Sequence, residues 1–277
     1  MAIKEKEIKR AVKEGYARIA KQATSYYSSR SCCGCDDIPL AMSKRMGYSD
    51  EEISAAPPES NMGLGCGNPV AVASPKEGEI VLDMGAGGGF DCFLASSRVG
   101  ASGKVIGVDI TSEMVDRARA NARKGGYTNI DFRQGDLENM PVADRYVDVV
   151  ISNCAINLIP NKTMAFREAY RVLKLGGRLA VSDVVLTREL PEFVKSSSKA
   201  YIGCLAGAIM KDEYLKIIRE VGFSEVTVVA ESNFPIESLL CETAGSSAIE
   251  MPSISSEQQK EVADSVLSIK VSAVKSK

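Results

Sequence analysis

Cys66, Cys154 and Cys204 come from three distant stretches, GLGCGNP, ISNCAIN and YIGCLAGA. A second group, Cys32, Cys33 and Cys35, crowds SRSCCGCDD. Cys92 and Cys241 complete the eight cysteines, and the 277-residue chain has no histidine. That absence excludes a Ser-His-Asp triad, a Cys-His nucleophile and any histidine-ligated zinc. A structural zinc site in the first cluster would need a second close cysteine pair, and no other C-x-x-C exists. No metal cofactor is expected. Thiolates prefer soft ions and semimetals, so thiols that converge from separate segments point to a soft, thiol-bound ligand.

The other chemistry-bearing stretch is DMGAGGG, Asp83 to Gly89, lying between a short apolar run and a helix-like segment. Gly85, Gly87 and Gly89 allow the backbone a close approach to a ligand, and a helix N-terminus supplies unpaired N–H groups. Asp109 ends the next apolar run, in the position where an acid meets ribose hydroxyls. Dinucleotide sites share the glycines. Asp83, however, precedes the first glycine, where a carboxylate attracts a cation rather than a pyrophosphate. Asp136, in QGDLE, follows the next run and is placed to meet an adenine amino group; for all three acids, capping of turns and helices is the competing reading. The set resembles the S-adenosylmethionine site of class I methyltransferases, whose ligand carries a sulfonium and an ammonium but no phosphate.

Transfer of a methyl group to oxygen or nitrogen usually needs a base, most conveniently histidine. A soft acceptor with its own lone pair needs none.

These groups must be positioned by alternating elements. GEIVLDM, KVIGVDI, NIDFRQGD, VDVVISNC and GRLAVSD read as strands, separated by helices at GFDCFLASSRV, TSEMVDRARANARKGG with a Thr/Ser cap, and KTMAFREAYRVLKLGG closed by glycines. That alternation predicts an α/β, Rossmann-like, doubly wound sheet over residues 76–230. Cys154 then ends the fourth strand, at the carboxyl edge where such sheets bind ligands. Residues 1–75 read as an amphipathic helix, with Ile8, Val12, Tyr16, Ile19 and Ala23 on one face packing on the main domain, followed by an irregular cysteine-bearing lid. Residues 195–222 read as helical, SEVTVVAE as a strand, and residues 231–277 as an extension. TAGSSAIEMPSISSEQQ in that extension reads as a loop with a short helix, and the last strand, 266–275, completes the sheet.

The sequence is similar to the arsenite S-adenosylmethionine methyltransferases. SCC, GLGCGNP, DMGAGGGFDCFLA, VIGVD, ISNCAINLIP, REAYRVLKLGGRLAVSD and YIGCLAGA carry the resemblance, in the family's order over roughly residues 10 to 225. It implies methylation of trivalent arsenic with S-adenosylmethionine as donor, and arsenic held by Cys66, Cys154 and Cys204. An N-terminal thiol maps to Cys32 or Cys33. Two cysteines would return the methylated, pentavalent product to the trivalent state by forming a disulfide, which a thioredoxin- or glutathione-type reductant resets. Cofactor contacts are expected at Asp83, Gly85, Gly87, Gly89, Asp109, Ile110, Met114, Asp136, Leu137 and Asn153, although Asn153 also reads as a simple turn residue.

Two further readings remain at this stage: C- or O-methylation of a small organic acceptor, and a non-catalytic metalloid sensor. The missing base argues against the first and the intact glycine turn against the second. Cys92, on the apolar face of its helix, reads as a small buried hydrophobe, and nothing distinguishes Cys241. A net charge of −2 gives no reason to expect nucleic acid or anionic lipid. No apolar run or signal-peptide core stands out, so a cytoplasmic protein with reduced thiols and no membrane partner is expected.

Overall fold

The computed structural model describes residues 2–28, 38–191, 194, 204–234 and 255–276. Cys32, Cys33, Cys35 and Cys241 lie outside them. The described strands are β1 (Ile80–Met84), β2 (Lys104–Asp109), β3 (Ile130–Gln134), β4 (Val147–Asn153), β5 (Leu173–Leu186), β6 (Ser224–Asn233) and β7 (Val266–Val274). They form one sheet in the order β3-β2-β1-β4-β5-β7-β6. The first five strands of this order are parallel, and β7 runs antiparallel to both β5 and β6. β1 and β4 read as near-continuous apolar runs because both faces are covered: Val81, Leu82, Val149, Val150 and Ile151 have no exposed surface.

One face carries α7 (Lys162–Val172) and α8 (Lys211–Val221), joined by Phe166 and Tyr214, whose rings meet edge-on at 5.4 Å. The other carries α5 (Phe90–Val99), which buries Phe93 and Ala95. α6 (Ser112–Gly125) buries Val115 and Ala118 on that same side. These are the three layers expected of a doubly wound sheet. The strand order reverses between β1 and β4, so a crevice opens at the carboxyl ends of those two strands. Asp83 and Cys154 lie there.

Several sequence expectations change. The segment before β1 is not irregular over residues 38–75. It holds α2 (Ile38–Arg45), α3 (Asp50–Ala55) and α4 (Pro69–Ala73), with a 3-10 turn at Pro58–Ser60. Local capping explains this: Ser49 and Glu52 form a reciprocal capping box, and Asn68 caps α4 ahead of Pro69. Helix α7 is not closed by glycines, because Leu173 is fully buried and already paired with Val147 of β4. Gly176 and Gly177 fall inside β5. Thr111 precedes α6, but its side chain makes no cap bond. Residues 204–209 are not helical, and α8 begins only at Lys211. In the extension, the short helix is α9 (Ser256–Ala263), opened by a Ser255–Gln258 capping box. The last strand, β7, lies between β5 and β6, so that β7 and β6 together form one edge of the sheet.

The N-terminal helix α1 (Ala2–Ser28) docks as its apolar stripe predicts, burying Val12, Ile19 and Ala20. Ile19 and Ala20 pack with Met114 of α6, and Tyr16 and Met62 close the cluster. Arg117 of α6 donates to the carbonyl of Ala20 at 3.3 Å and to that of Glu59 at 2.7 Å, tying α1 and the 3-10 turn to the same helix.

The turn after β1 tolerates no side chain at two of its glycines. A Cβ on Gly85 would stand 2.3 Å from the Cβ of Ala155, at a φ of +84°. One on Gly89 would meet Phe132 at 2.7 Å. The close approach these glycines allow is therefore to the protein itself. Gly85→Ala is expected to cost about 2–4 kcal/mol, from overpacking plus left-handed backbone. Urea denaturation measures this, and a loss below about 1 kcal/mol would contradict it.

Candidate functional site

Two groups of side chains meet in the crevice: buried acids around the glycine turn, and buried thiols below the Cys66 loop. Asp109 ends β2 with each carboxylate oxygen engaged, accepting from Gly87 N at 2.9 Å and Thr111 N at 2.8 Å. Asp83 accepts the thiol proton of Cys92 at 3.2 Å. Asp91, in the first turn of α5, accepts from the Tyr48 hydroxyl at 2.6 Å. Burial pushes all three carboxyls up: Asp83 well above its ordinary range, with Asp91 adding to the effect, Asp91 to about 6, and Asp109 less far because two backbone N–H groups oppose the shift. Among the described residues none of the three is in an ion pair. Desolvated carboxylates without a counter-charge are costly, and a cationic ligand would relieve that cost.

Met114 is fully buried, and Leu137 is buried in the core beside Ala155 and Met84; Ile110 stands half-buried between Asp109 and Thr111. Asp136 has a protein partner. Lys9 of α1 reaches it at 2.6 Å and Glu138 at 2.5 Å, while the other Asp136 oxygen accepts from Glu138 N. The turn-capping reading thus describes Asp136 as it stands.

Asn153, at the end of β4, does more than shape a turn. Its amide oxygen accepts from Cys66 N at 2.9 Å. Its Nδ2 faces the Gly67 carbonyl at 2.8 Å, the Tyr48 hydroxyl at 2.9 Å and Asp91 at 3.1 Å. A Cβ on Gly65 would lie 2.8 Å from that amide, and one on Gly67 would lie 2.6 Å from Ser182 Oγ. The glycines flanking Cys66 therefore let its loop press onto β4 and β5. They do not leave Cys66 accessible: the residue is 6% exposed, and its carbonyl accepts from Ser268 Oγ of β7 at 2.5 Å.

The three thiols are neighbours. Cys204 Sγ donates to the Cys154 carbonyl at 3.0 Å, and the Cys66 and Cys154 sulfurs lie within 4.8 Å of each other. The sulfurs form a chain with Cys154 in the middle. Cys154 and Cys204 hold left-handed backbone, at φ of 56° and 64°, a conformation that β-carbon-bearing residues adopt where the surroundings impose it. Val184, Leu186, Leu205 and Val266 enclose the cluster. Burial raises the Cys66 thiol. For Cys154 the hydrogen bond from Cys204 pulls downward, but the Cys66 thiol and burial outweigh it. Its hydrogen bond to Cys154, and then burial, raise Cys204. All three are neutral thiols at neutral pH. They gain from exchange with a soft centre rather than from nucleophilic attack as thiolates.

Two residues complete the cluster that sequence reasoning missed. Asp183, in the middle of β5, is fully buried; it accepts from Val184 N at 3.0 Å and the Tyr214 hydroxyl at 3.1 Å. Its carboxylate oxygen and the sulfurs of Cys66 and Cys154 lie within 4.8 Å of one another. Burial pushes Asp183 up to about 7, against the pull of Val184 N–H and the Lys162 ammonium. Tyr16 of α1 lies close to Cys204, Cys154 and Asp109, and burial with these neighbours pushes its hydroxyl well above its ordinary range. Asp183 follows GRLAVS and looks like a strand-end acid. Tyr16 belongs to the apolar stripe already read from α1. The spacing reveals neither one's partners.

Residues 75–222 match a family model described as a methyltransferase domain. An arsenite methyltransferase of Halobacterium salinarum is 42% identical over 80% of this chain and 59% of its own length. One from Aquipseudomonas alcaligenes is 34% identical over 85% of this chain and 68% of its own. The solved structure of an arsenic (III) S-adenosylmethionine methyltransferase from Chlamydomonas reinhardtii aligns with a TM-score of 0.62 at 30% identity, covering 88% of this chain and 75% of that one. The chain thus spans about three-fifths of the length of the Halobacterium relative.

Unfolding returns Asp183 to its ordinary value of 3.8, so between there and about 7 the folded chain binds more protons than the unfolded one. The stability contributed by the neutral carboxyl is complete below about pH 4 and lost as pH rises through about 7. Asp183→Asn is expected to flatten the fall in thermal midpoint across that window; a slope equal to that of the unaltered chain contradicts the assignment. Asp83, Asp91 and Asp109 act in the same direction, so part of the fall persists.

Proposed function

The chain belongs to the arsenite methyltransferase family, and from that premise we propose that it methylates trivalent arsenic, using S-adenosylmethionine as donor and its own thiols as the arsenic ligands. The observation that carries this reading is the meeting of Cys66, Cys154 and Cys204 in one buried cluster beside the glycine turn.

The residues present fit the donor. Gly85, Gly87 and Gly89 shape the turn, Asp109 is aimed by two backbone N–H groups, and the carboxyls of buried Asp83 and Asp91 and half-buried Asp109 match a cation. When bound, S-adenosylmethionine supplies an electrophilic methyl group on a positively charged sulfur. The chain's own work is to bind and orient. Arsenous acid exchanges each hydroxyl for a cysteine sulfur; one As–O bond breaks, one As–S bond forms, and the thiol proton leaves with the hydroxyl as water. Asp183, poised near neutrality beside two of the thiols, can hold that proton between thiol and departing oxygen. Three sulfurs on arsenic leave its lone pair unshared, so no base is required at the nucleophile. Exclusion of water by Val184, Leu205 and Val266 keeps the As–S bonds from reversing. The Cys66 and Cys204 sulfurs must close on one atom from a chain arrangement, and the hydrogen bond from Cys204 Sγ to the Cys154 carbonyl already holds two of them together.

Cys32 or Cys33 serves as the fresh thiol that pairs with Cys66 to return the product to the trivalent state. A thioredoxin- or glutathione-type reductant then resets the disulfide. Both steps suit the reducing cytoplasm, where the thiols stay free. No described helix is long and apolar enough to cross a membrane.

Incubation with methyl-labelled donor, arsenite and a thiol is expected to yield labelled methylarsenicals; label confined to an organic extract sinks the proposal. Cys154→Ser and Cys204→Ser are each expected to lower turnover by about 100-fold or more at every methylation step. Loss of Cys32 and Cys33 together is expected to slow the first step more than the second, as product analysis by chromatography reads.

A further inference from the structure

Asp183 has no ligand role in a three-sulfur arsenic pyramid, yet its carboxylate oxygen and the sulfurs of Cys66 and Cys154 lie within 4.8 Å of one another. All three groups are buried, and the Cys204 sulfur is not part of this close group. Two sulfurs and a carboxylate suit a tetrahedral, thiophilic divalent ion. Metal–sulfur bonds of about 2.3 Å at the tetrahedral angle set two sulfurs about 3.8 Å apart. The two sulfurs therefore need to close by at most about 1 Å, and each sulfur and the oxygen by at most about 1.3 Å. Their supports are those of a ligating set. The Tyr214 hydroxyl and Val184 N–H each hold one Asp183 oxygen and leave it a further lone pair, while Asn153 and Ser268 fix the backbone of Cys66.

We propose that Cys66, Cys154 and Asp183 also form a binding site for a thiophilic divalent cation of the zinc and cadmium class, which excludes trivalent arsenic while it is bound. The idea rests on the thiol pocket assigned above but not on methyl transfer. Charge separates the two ligands. Arsenous acid enters by exchanging hydroxyl for thiol, so the pocket remains neutral and a third sulfur, that of Cys204, suffices. A divalent cation arrives with two positive charges; it sheds water, two thiol protons pass to solvent, the two thiolates balance its charge, and Asp183 adds an oxygen ligand. Water takes the remaining position. Because Cys66 and Cys154 serve both ligands, the cation acts as a competitive inhibitor, not a cofactor.

The test uses the full chain with Cys32, Cys33, Cys35 and Cys241 changed to serine, titrated with cadmium chloride. The sulfur-to-cadmium ultraviolet band counts thiolates per ion. One cadmium held by two thiolates is expected, with the band unchanged in Cys204→Ser and halved in Cys154→Ser. Asp183→Asn is expected to weaken binding about 10–100-fold. Should Asp183→Asn fail to fold by circular dichroism, Tyr214→Phe replaces it and is expected to weaken binding less. Arsenite should displace the cadmium from the Cys204-containing protein and fail to do so from Cys204→Ser. A three-thiolate band lost with Cys204→Ser and indifferent to Asp183, or no band at all, overturns the proposal. Cadmium binding as expected in this variant, alongside absent arsenite methylation by the unaltered chain, would sink the functional reading alone; the reverse would sink only this one.

Discussion

The side-chain amide of Asn153 joins the two halves of the crevice. Its oxygen holds Cys66 N, and its nitrogen faces the Gly67 carbonyl, the Tyr48 hydroxyl and Asp91. One group at the end of β4 thus sets the height of the Cys66 loop and the position of the first turn of α5. Only a chain without side chains at residues 65 and 67 could lie this close to it. The next residue, Cys154, is forced into left-handed backbone, and that turn brings its thiol back toward Cys66. Glycines, amide and thiol form one unit, and a change in any of them moves the others.

Burial of charge is the second constraint. Asp83, Asp91, Asp109 and Asp183 are all pushed upward, chiefly by loss of water. The first three surround the glycine turn, while the fourth sits among sulfurs. The same physical cause therefore acts at two places in the crevice, on carboxyls around the glycine turn and on one beside the thiols. Natural domains pay for such groups in stability, and the dense packing of Leu82, Ile106, Val150 and Phe166 offsets it.

The sheet was legible because its strands are short buried runs punctuated by glycine, and the thiols were legible by residue type. Strand ends were less so. Leu173 continues directly from helix to strand because its neighbour Val147 holds it, and tertiary pairing of that kind leaves no local mark. The short helices between residues 38 and 73 were hidden by their glycines and prolines, although Ser49, Glu52 and Asn68 signal them. Asp183 and Tyr16 escaped for a different reason. Each fits its local pattern, a strand acid and an apolar helix face, and gains its role only from partners 30 or more positions away: Tyr214 for one, Cys204 for the other.

Ser268 gives the architecture a temporal side. Its hydroxyl braces the Cys66 carbonyl across 202 positions of sequence, from a strand that threads between two others made earlier. On a growing polypeptide Cys66 emerges long before its brace. Until residues 266–274 leave the ribosome and slot into place, the Cys66 carbonyl has no Ser268 hydroxyl to meet, and the loop that carries this thiol stays unbraced.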